Sequence, residues 1–132
     1  MRIVSSIILI AALALMTAAC GDRNAVTGTI TFDGDQAIPE GAVMEVQLRD
    51  VSYQDAAAPL IASQTIDDPG RFPVDFAVPY EPSDIDPRAT YGLQVSVYLH
   101  DRLIFINDTA FDVLTRGNPG RGVDMWVIAV GG

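Results

Sequence analysis

The fold of this chain is decided by the stretch Ile85-Asp86-Pro87-Arg88-Ala89-Thr90-Tyr91-Gly92-Leu93-Gln94-Val95-Ser96-Val97-Tyr98-Leu99. Along its second half every other side chain is apolar, and these side chains share one face: Tyr91, Leu93, Val95, Val97 and Leu99. A period of two residues is typical of a β-strand with one buried face. The stretch therefore predicts a core strand over 91–99.

Similar alternation or short apolar runs fill the rest of the chain beyond its first nineteen residues. We predict further strands within 26–32, 44–48, 60–66, 72–78, 103–106, 111–114 and 123–130. Turn signals rich in Gly, Pro and Asp separate these segments, and no convincing helical stripe occurs among them. The pattern predicts one all-β domain over residues 26–130, either an immunoglobulin-like or fibronectin-like sandwich or a small barrel of about seven or eight strands.

The residues before the core strand add a specific expectation. Ile85 and Pro87 precede Tyr91 by six and four places, a spacing that resembles the tyrosine corner of immunoglobulin-like and fibronectin-like sandwiches. In that motif the phenol hydroxyl bonds to backbone a few residues upstream. We therefore expect Ile85, Pro87 and Tyr91 to form a structural corner.

Length and composition limit the class of protein. A chain of 132 residues can form one ordinary domain, and its 49% hydrophobic content can supply a core. The formal net charge is −9 with no lysine, so phosphate backbones repel the chain and nucleic acid is not an expected partner. A single cysteine excludes an internal disulfide and a cysteine-cluster metal site.

The first nineteen residues have the pattern of a signal peptide. An apolar run follows one arginine and is too short to span a bilayer comfortably as a permanent helix. It ends in small residues before Cys20, and Ala18-Ala19-Cys20 is similar to the lipobox of bacterial lipoproteins. That resemblance implies cleavage between Ala19 and Cys20 and covalent lipid on the Cys20 sulfur. The alternative is an ordinary secretory signal with a chance cysteine.

A lipid anchor would hold the acidic domain at a membrane, because two or more acyl chains bind a bilayer stably. Residues 20–25 then form a lipidated tether. In enterobacterial lipoproteins an aspartate directly after the cysteine favours retention in the inner membrane, whereas here Gly21 follows Cys20. The resemblance therefore favours the outer membrane, with the domain facing the periplasm.

Residues able to carry chemistry are few. His100 is the only histidine and stands at a predicted hairpin end, and no serine has a Gly-x-Ser-x-Gly context. Pairs such as Asp33 and Asp35 could bind calcium or act as glycosidase acid and base, but aspartate beside glycine usually builds a turn. We therefore predict no catalytic residue, no metal site and no cofactor apart from the lipid on Cys20.

Three charged residues near the ends of predicted strands form a candidate polar cluster: Asp50, Arg88 and Asp108. A carboxylate at the edge of a core usually needs a partner. The set indicates either structural ion pairs and turn bonds or the lining of a small groove for a peptide or a lipid tail.

The order and spacing of many short motifs agree with one family from about Val26 to Leu114. They are Val26-Thr27-Gly28-Thr29, Pro39, Gly41-Ala42, Val46-Gln47-Leu48, Asp50-Val51-Ser52, Asp55-Ala56, Ala58-Pro59, Ile61-Ala62, Gln64-Thr65, Pro73-Val74, Phe76, Tyr80, Pro82, Ile85-Asp86-Pro87-Arg88, Tyr91, Arg102-Leu103, Phe105, Asp108-Thr109 and Val113-Leu114-Thr115-Arg116-Gly117. In these residues the chain resembles the YbaY-like lipoproteins, grouped with the YscW-type lipoprotein chaperones (pilotins) of type III secretion. The resemblance implies an all-β periplasmic lipoprotein without catalytic residues, and its pilotin members bind the ring-forming outer-membrane secretin.

Two functional hypotheses follow. The first is a non-enzymatic envelope lipoprotein that binds protein as a chaperone or pilotin-like module, with a secretin-like partner only if it is a pilotin. Exposed strand edges would suit that role, because a partner segment can pair with them. The alternative is a lipoprotein whose β domain encloses a small ligand or an acyl chain. A filled core favours the first hypothesis, and a deep cavity favours the second.

Overall fold

The computed structural model describes residues 24–33, 36–54 and 56–131, and most of them lie in β-strands. The strands are β1 (Ala25–Phe32), β2 (Val43–Asp50), β3 (Leu60–Asp67), β4 (Val74–Pro79), β5 (Tyr91–Leu99), β6 (Arg102–Ile106), β7 (Phe111–Val113) and β8 (Val123–Ala129). A short 3-10 turn, Pro82–Asp84, lies between β4 and β5. The prediction of an all-β domain is confirmed. The predicted signal peptide, the cleavage site and Cys20 lie outside the described residues.

The strands form one curled sheet in the order β3-β2-β5-β6-β8-β1-β4. The pairs are antiparallel except β1 with β8, which are parallel. β7 lies off this path and pairs with the first residues of β5, whose last residues pair with β6. The sheet curls until β3 and β4, at the two ends of the order, lie side by side. Of the two predicted architectures, this is the small, almost closed barrel.

Strand direction gives the barrel two ends. At one end, β1, β3, β5 and β8 begin and β2, β4 and β7 end. We call it the entry end, because the described chain enters the barrel there at Asn24. The opposite end carries the turn between β5 and β6 and is called the hairpin end. Its turn residues, His100 and Asp101, have φ values of 50° and 66°, as a two-residue type I′ hairpin requires.

Side chains fill the interior of the barrel. Alternate residues of β2 and β4 point inward and are buried, which matches the period of two in their sequences. Phe32, Phe72 and Phe105 contact one another with ring centroids 5.0–5.7 Å apart, and Phe72 is fully buried. Since packed side chains occupy the inside, the barrel has a solid core of the kind found in small β-barrels.

Candidate functional site: the seam between β3 and β4

The sheet stays open where β3 faces β4, the two strands at the ends of the strand order. We call the line between them the seam. The Asp68 N–H donates to the Ala42 carbonyl at the end of the pairing between β3 and β2. In an antiparallel pair only every second residue of a strand bonds to a given neighbour. Counting back from Asp68, the N–H groups of Ser63 and Thr65 therefore point away from β2 and toward the seam. On the facing edge, the Tyr80 N–H donates to the Asn24 carbonyl, so by the same alternation the backbone groups of Ala77 and Pro79 point away from β1 and toward the seam. The seam therefore brings together two free strand edges.

One side chain bridges the seam. Gln64 lies between Ala62 and Ile66 on the inward face of β3, and its Oε1 accepts a hydrogen bond of 2.8 Å from the Ala77 N–H. A side-chain amide thus satisfies one backbone donor of β4 that a paired strand would otherwise satisfy. The next residue of β4 that faces the seam, toward the entry end, is Pro79, which has no backbone N–H. Proline at such a position is common on edge strands, because it prevents another strand from pairing there.

The seam widens into a hollow of about 320 Å³ at the entry end. Its lining residues are Ile61, Ala62, Pro79, Tyr80, Glu81 and Asp84. Ile61, Ala62 and Pro79 belong to the two strand edges, whereas Tyr80 and the two carboxylates belong to the segment after β4. The hollow can therefore accept an apolar side chain beside a positively charged group.

The residues of the predicted corner lie next to this hollow. The Tyr91 hydroxyl accepts a 2.8 Å hydrogen bond from the Asp86 N–H and lies 3.4 Å from the Asp84 carbonyl oxygen, which it can reach as a donor. Tyr91 is buried and Ile85 packs against the core. These contacts join the start of β5 to the 3-10 turn that carries Asp84, and so they position one wall of the hollow.

The structure places the three residues of the predicted polar cluster in two different regions. Asp50 and Arg88 line one shallow hollow at the entry end, where Asp50 Oδ1 accepts from the Ser52 N–H at 3.0 Å. Arg88 is paired with Asp86 at 3.5 Å, and the hydrogen bond from its backbone N–H lowers the pKa of the Asp86 carboxyl. Asp108 is not among the lining residues of that hollow. It follows β6 and accepts a hydrogen bond from the Thr109 hydroxyl.

Two polar residues with structural roles did not stand out in the sequence. Gln64 is one, although its position between Ala62 and Ile66 on an inward face was a usable signal. Asn107 is the other. Its Oδ1 accepts from the Val95 N–H at 2.8 Å, and its Nδ2 donates to the Thr109 carbonyl at 2.9 Å. Asn107 occupies the gap between β6 and β7 on the same side of β5.

Among the described residues, no group of three or more His, Cys, Asp or Glu side chains is arranged to hold a metal ion. Over the same ranges no helix is both long and apolar enough to cross a membrane.

Known proteins share both the sequence pattern and the fold. The chain is 31% identical over 106 residues to the uncharacterized lipoprotein YbaY of Escherichia coli (strain K12), a match that covers 80% of this chain. The match spans only 55% of that relative's length. The structure resembles that of an alternative pilotin from the type II secretion system of Vibrio cholerae, with a TM-score of 0.76 and 31% identity. That likeness covers 83% of this chain and 98% of the pilotin.

The sequence profile of one family matches residues 22–125, which include β1 to β7 and the first residues of β8. The range contains both walls of the seam, the corner around Tyr91 and the Asn107 bridge. Since the match extends over well more than half of the chain, this protein belongs to the family of type III secretion system lipoprotein chaperones (YscW).

Proposed function

We propose that this protein is a non-enzymatic envelope lipoprotein that binds a partner protein as a pilotin-like chaperone. In this proposal lipid on Cys20 anchors it to the outer membrane, and the β domain faces the periplasm. Membership of a lipoprotein chaperone family and the likeness to a pilotin support the binding role. Similarity to a lipoprotein supports the anchor.

The seam is the observation that carries the binding role. Free N–H and carbonyl groups along the edge of a strand can pair with an extended segment of another chain. In this barrel the free edges of β3 and β4 meet, and the bond between Gln64 and the Ala77 N–H is the side-chain bridge between them. A segment that pairs with β3 would exchange that bridge for backbone hydrogen bonds.

The hollow at the entry end indicates the chemistry of the partner segment. Ile61 and Tyr80 offer apolar contact, while Glu81 and Asp84 offer negative charge. A segment with an apolar side chain next to an arginine or lysine would satisfy both features. We therefore propose an extended, basic segment of an envelope protein, such as a secretin, as the partner.

The alternative function is the binding of a small ligand or an acyl chain inside the barrel. Such a role needs an enclosed apolar cavity, usually of about 300–1,000 Å³. Here aromatic and aliphatic side chains occupy the interior, including the packed trio of Phe32, Phe72 and Phe105. The filled core favours the protein-binding role.

Photo-crosslinking in intact cells tests this proposal. We expect a photoreactive residue at Ser63, which is exposed on β3, to give a discrete adduct with an envelope protein. The substitution Thr65→Pro should abolish the adduct, because it removes an N–H that faces the seam and is not needed by β2. Thr65→Ala keeps that N–H and should preserve the adduct.

A photoreactive residue at Gln94 is the matched positional control, since this exposed residue lies on β5, between its neighbouring strands. Mass spectrometry of the adduct identifies the partner. An adduct that survives Thr65→Pro, or that forms equally from Gln94, would exclude the seam as the binding site. An adduct with a secretin would establish the pilotin version of the function.

A further inference from the structure

The described chain enters the barrel at a fixed point. The Asn24 carbonyl accepts a 2.9 Å hydrogen bond from the Tyr80 N–H, and Ala25 pairs with Pro79. Asn24 is only four residues from Cys20, and four fully extended residues span at most about 14 Å. If Cys20 carries lipid, as proposed above, the entry end must therefore lie within about 14 Å of the lipid headgroups.

Half of the large apolar side chains that are exposed among the described residues lie at this end, and the other half, Trp126, Ile128 and Val130, lie in and just after β8. Val51, Tyr53 and Leu60 are 42%, 57% and 51% exposed, and they belong to the connection between β2 and β3. This connection lies at the entry end, because the Val51 N–H donates to the Thr90 carbonyl just before β5 begins. Tyrosine beside aliphatic residues is a favourable combination at the boundary between water and lipid.

The two ends also differ in charge. The entry end has five carboxylates and four arginines among its described residues: Asp50, Glu81, Asp84, Asp86, Asp112, Arg49, Arg88, Arg116 and Arg121. The hairpin end has five carboxylates and two arginines: Asp33, Glu40, Asp67, Asp68, Asp101, Arg71 and Arg102. Anionic lipid headgroups therefore repel the hairpin end more strongly than the entry end.

We infer that the barrel stands on the bilayer with its entry end down, so that Val51, Tyr53 and Leu60 contact the headgroup region. This inference rests on the proposed lipid anchor. The seam then runs away from the membrane, its hollow lies near the headgroups, and the acidic hairpin end projects into the aqueous space. A four-residue tether by itself would also allow the barrel to lie on its side on the exposed residues of β8, but that arrangement would bring the acidic hairpin end to the headgroups.

Fluorescence quenching by brominated lipids tests the orientation. The mature lipidated protein is reconstituted in vesicles of phosphatidylcholine with brominated acyl chains. Its one tryptophan is Trp126. Trp126 pairs with Thr31 near the end of β1 and so lies well away from the entry end. A second protein, Trp126→Phe with Tyr53→Trp, moves the only tryptophan to the entry end. We expect the tryptophan at position 53 to be quenched several-fold more strongly than Trp126.

Flotation of the vesicles separates the two proposals. A protein that floats but shows equal quenching at the two positions, or stronger quenching of Trp126, would overturn the upright orientation and leave the anchor intact. A mature protein that does not float with vesicles would overturn both the anchor and the orientation. Thermal denaturation of the two proteins confirms that the substitutions leave the barrel folded.

Discussion

Tyr91 shows how one hydroxyl can hold a wall of the candidate site. The Tyr91 hydroxyl accepts a part-buried hydrogen bond from the Asp86 N–H, and the Tyr91 ring is buried in the core. A buried donor without an acceptor costs about 1–3 kcal/mol. We therefore expect Tyr91→Phe to lower the free energy of unfolding by roughly 1 kcal/mol or somewhat more.

Urea denaturation measures this effect. Tyr98→Phe is the matched control, because Tyr98 lies on the same strand with its side chain partly exposed, and its substitution should change the stability by less than about 0.5 kcal/mol. Equal stabilities for Tyr91→Phe and the wild-type protein would mean that the hydroxyl contributes nothing to the corner.

At the scale of elements, β6 and β7 behave as one strand that is interrupted beside β5. β6 pairs with Ser96–Leu99 and β7 pairs with Tyr91–Leu93. Between them the Asn107 side chain accepts the hydrogen bond of the Val95 N–H, and its backbone N–H approaches the Val95 carbonyl at 3.4 Å. The Asn107 side chain therefore takes the place of the backbone hydrogen bond that a continuous strand would form with Val95 at this position.

Removal of this amide should loosen the middle of β5. We expect Asn107→Ala to lower the free energy of unfolding by about 2 kcal/mol, since a part-buried backbone donor loses its acceptor. Amide hydrogen exchange should accelerate at Val95 more than at Val46 on the paired strand β2. Asp108→Ala, at the exposed next residue, is the control and should cost less than about 0.5 kcal/mol. Unchanged exchange at Val95 would contradict the bridging role.

The strands could be predicted from the sequence, but their order in the sheet could not. Alternation along β5 and β2 is a local property, so the presence of strands there could be predicted from neighbouring residues. The order of the strands depends on contacts between distant parts of the chain, such as those of β1 with β8. The seam is therefore invisible in the sequence, and Gln64 read alone is an ordinary polar residue of a strand. Asp50 and Asp108 each follow a predicted strand, so the sequence suggests one cluster, and only the fold shows that they lie apart.

At the scale of the whole molecule, the anchor and the domain are separate physical units. The acidic domain has no electrostatic attraction to anionic lipid, so membrane attachment should depend on the acyl chains. We expect Cys20→Ser to abolish the incorporation of labelled palmitate and to move the protein from the membrane fraction to the soluble fraction.

Ser5→Ala, a substitution in the predicted signal segment that keeps Cys20, is the control and should leave both properties unchanged. A Cys20→Ser protein that remains with the membranes would refute the anchor, as would a free thiol on Cys20 in the mass spectrum of the native protein.

The parallel pairing of β1 with β8 also has a consequence for biogenesis. Strand β1 waits for β8, which lies far along the chain, because β1 has β4 on one side and needs Val123–Val127 on the other. Contacts between such distant residues make folding slow. During synthesis or export, the barrel therefore cannot be completed until β8 has emerged from the ribosome or the export channel.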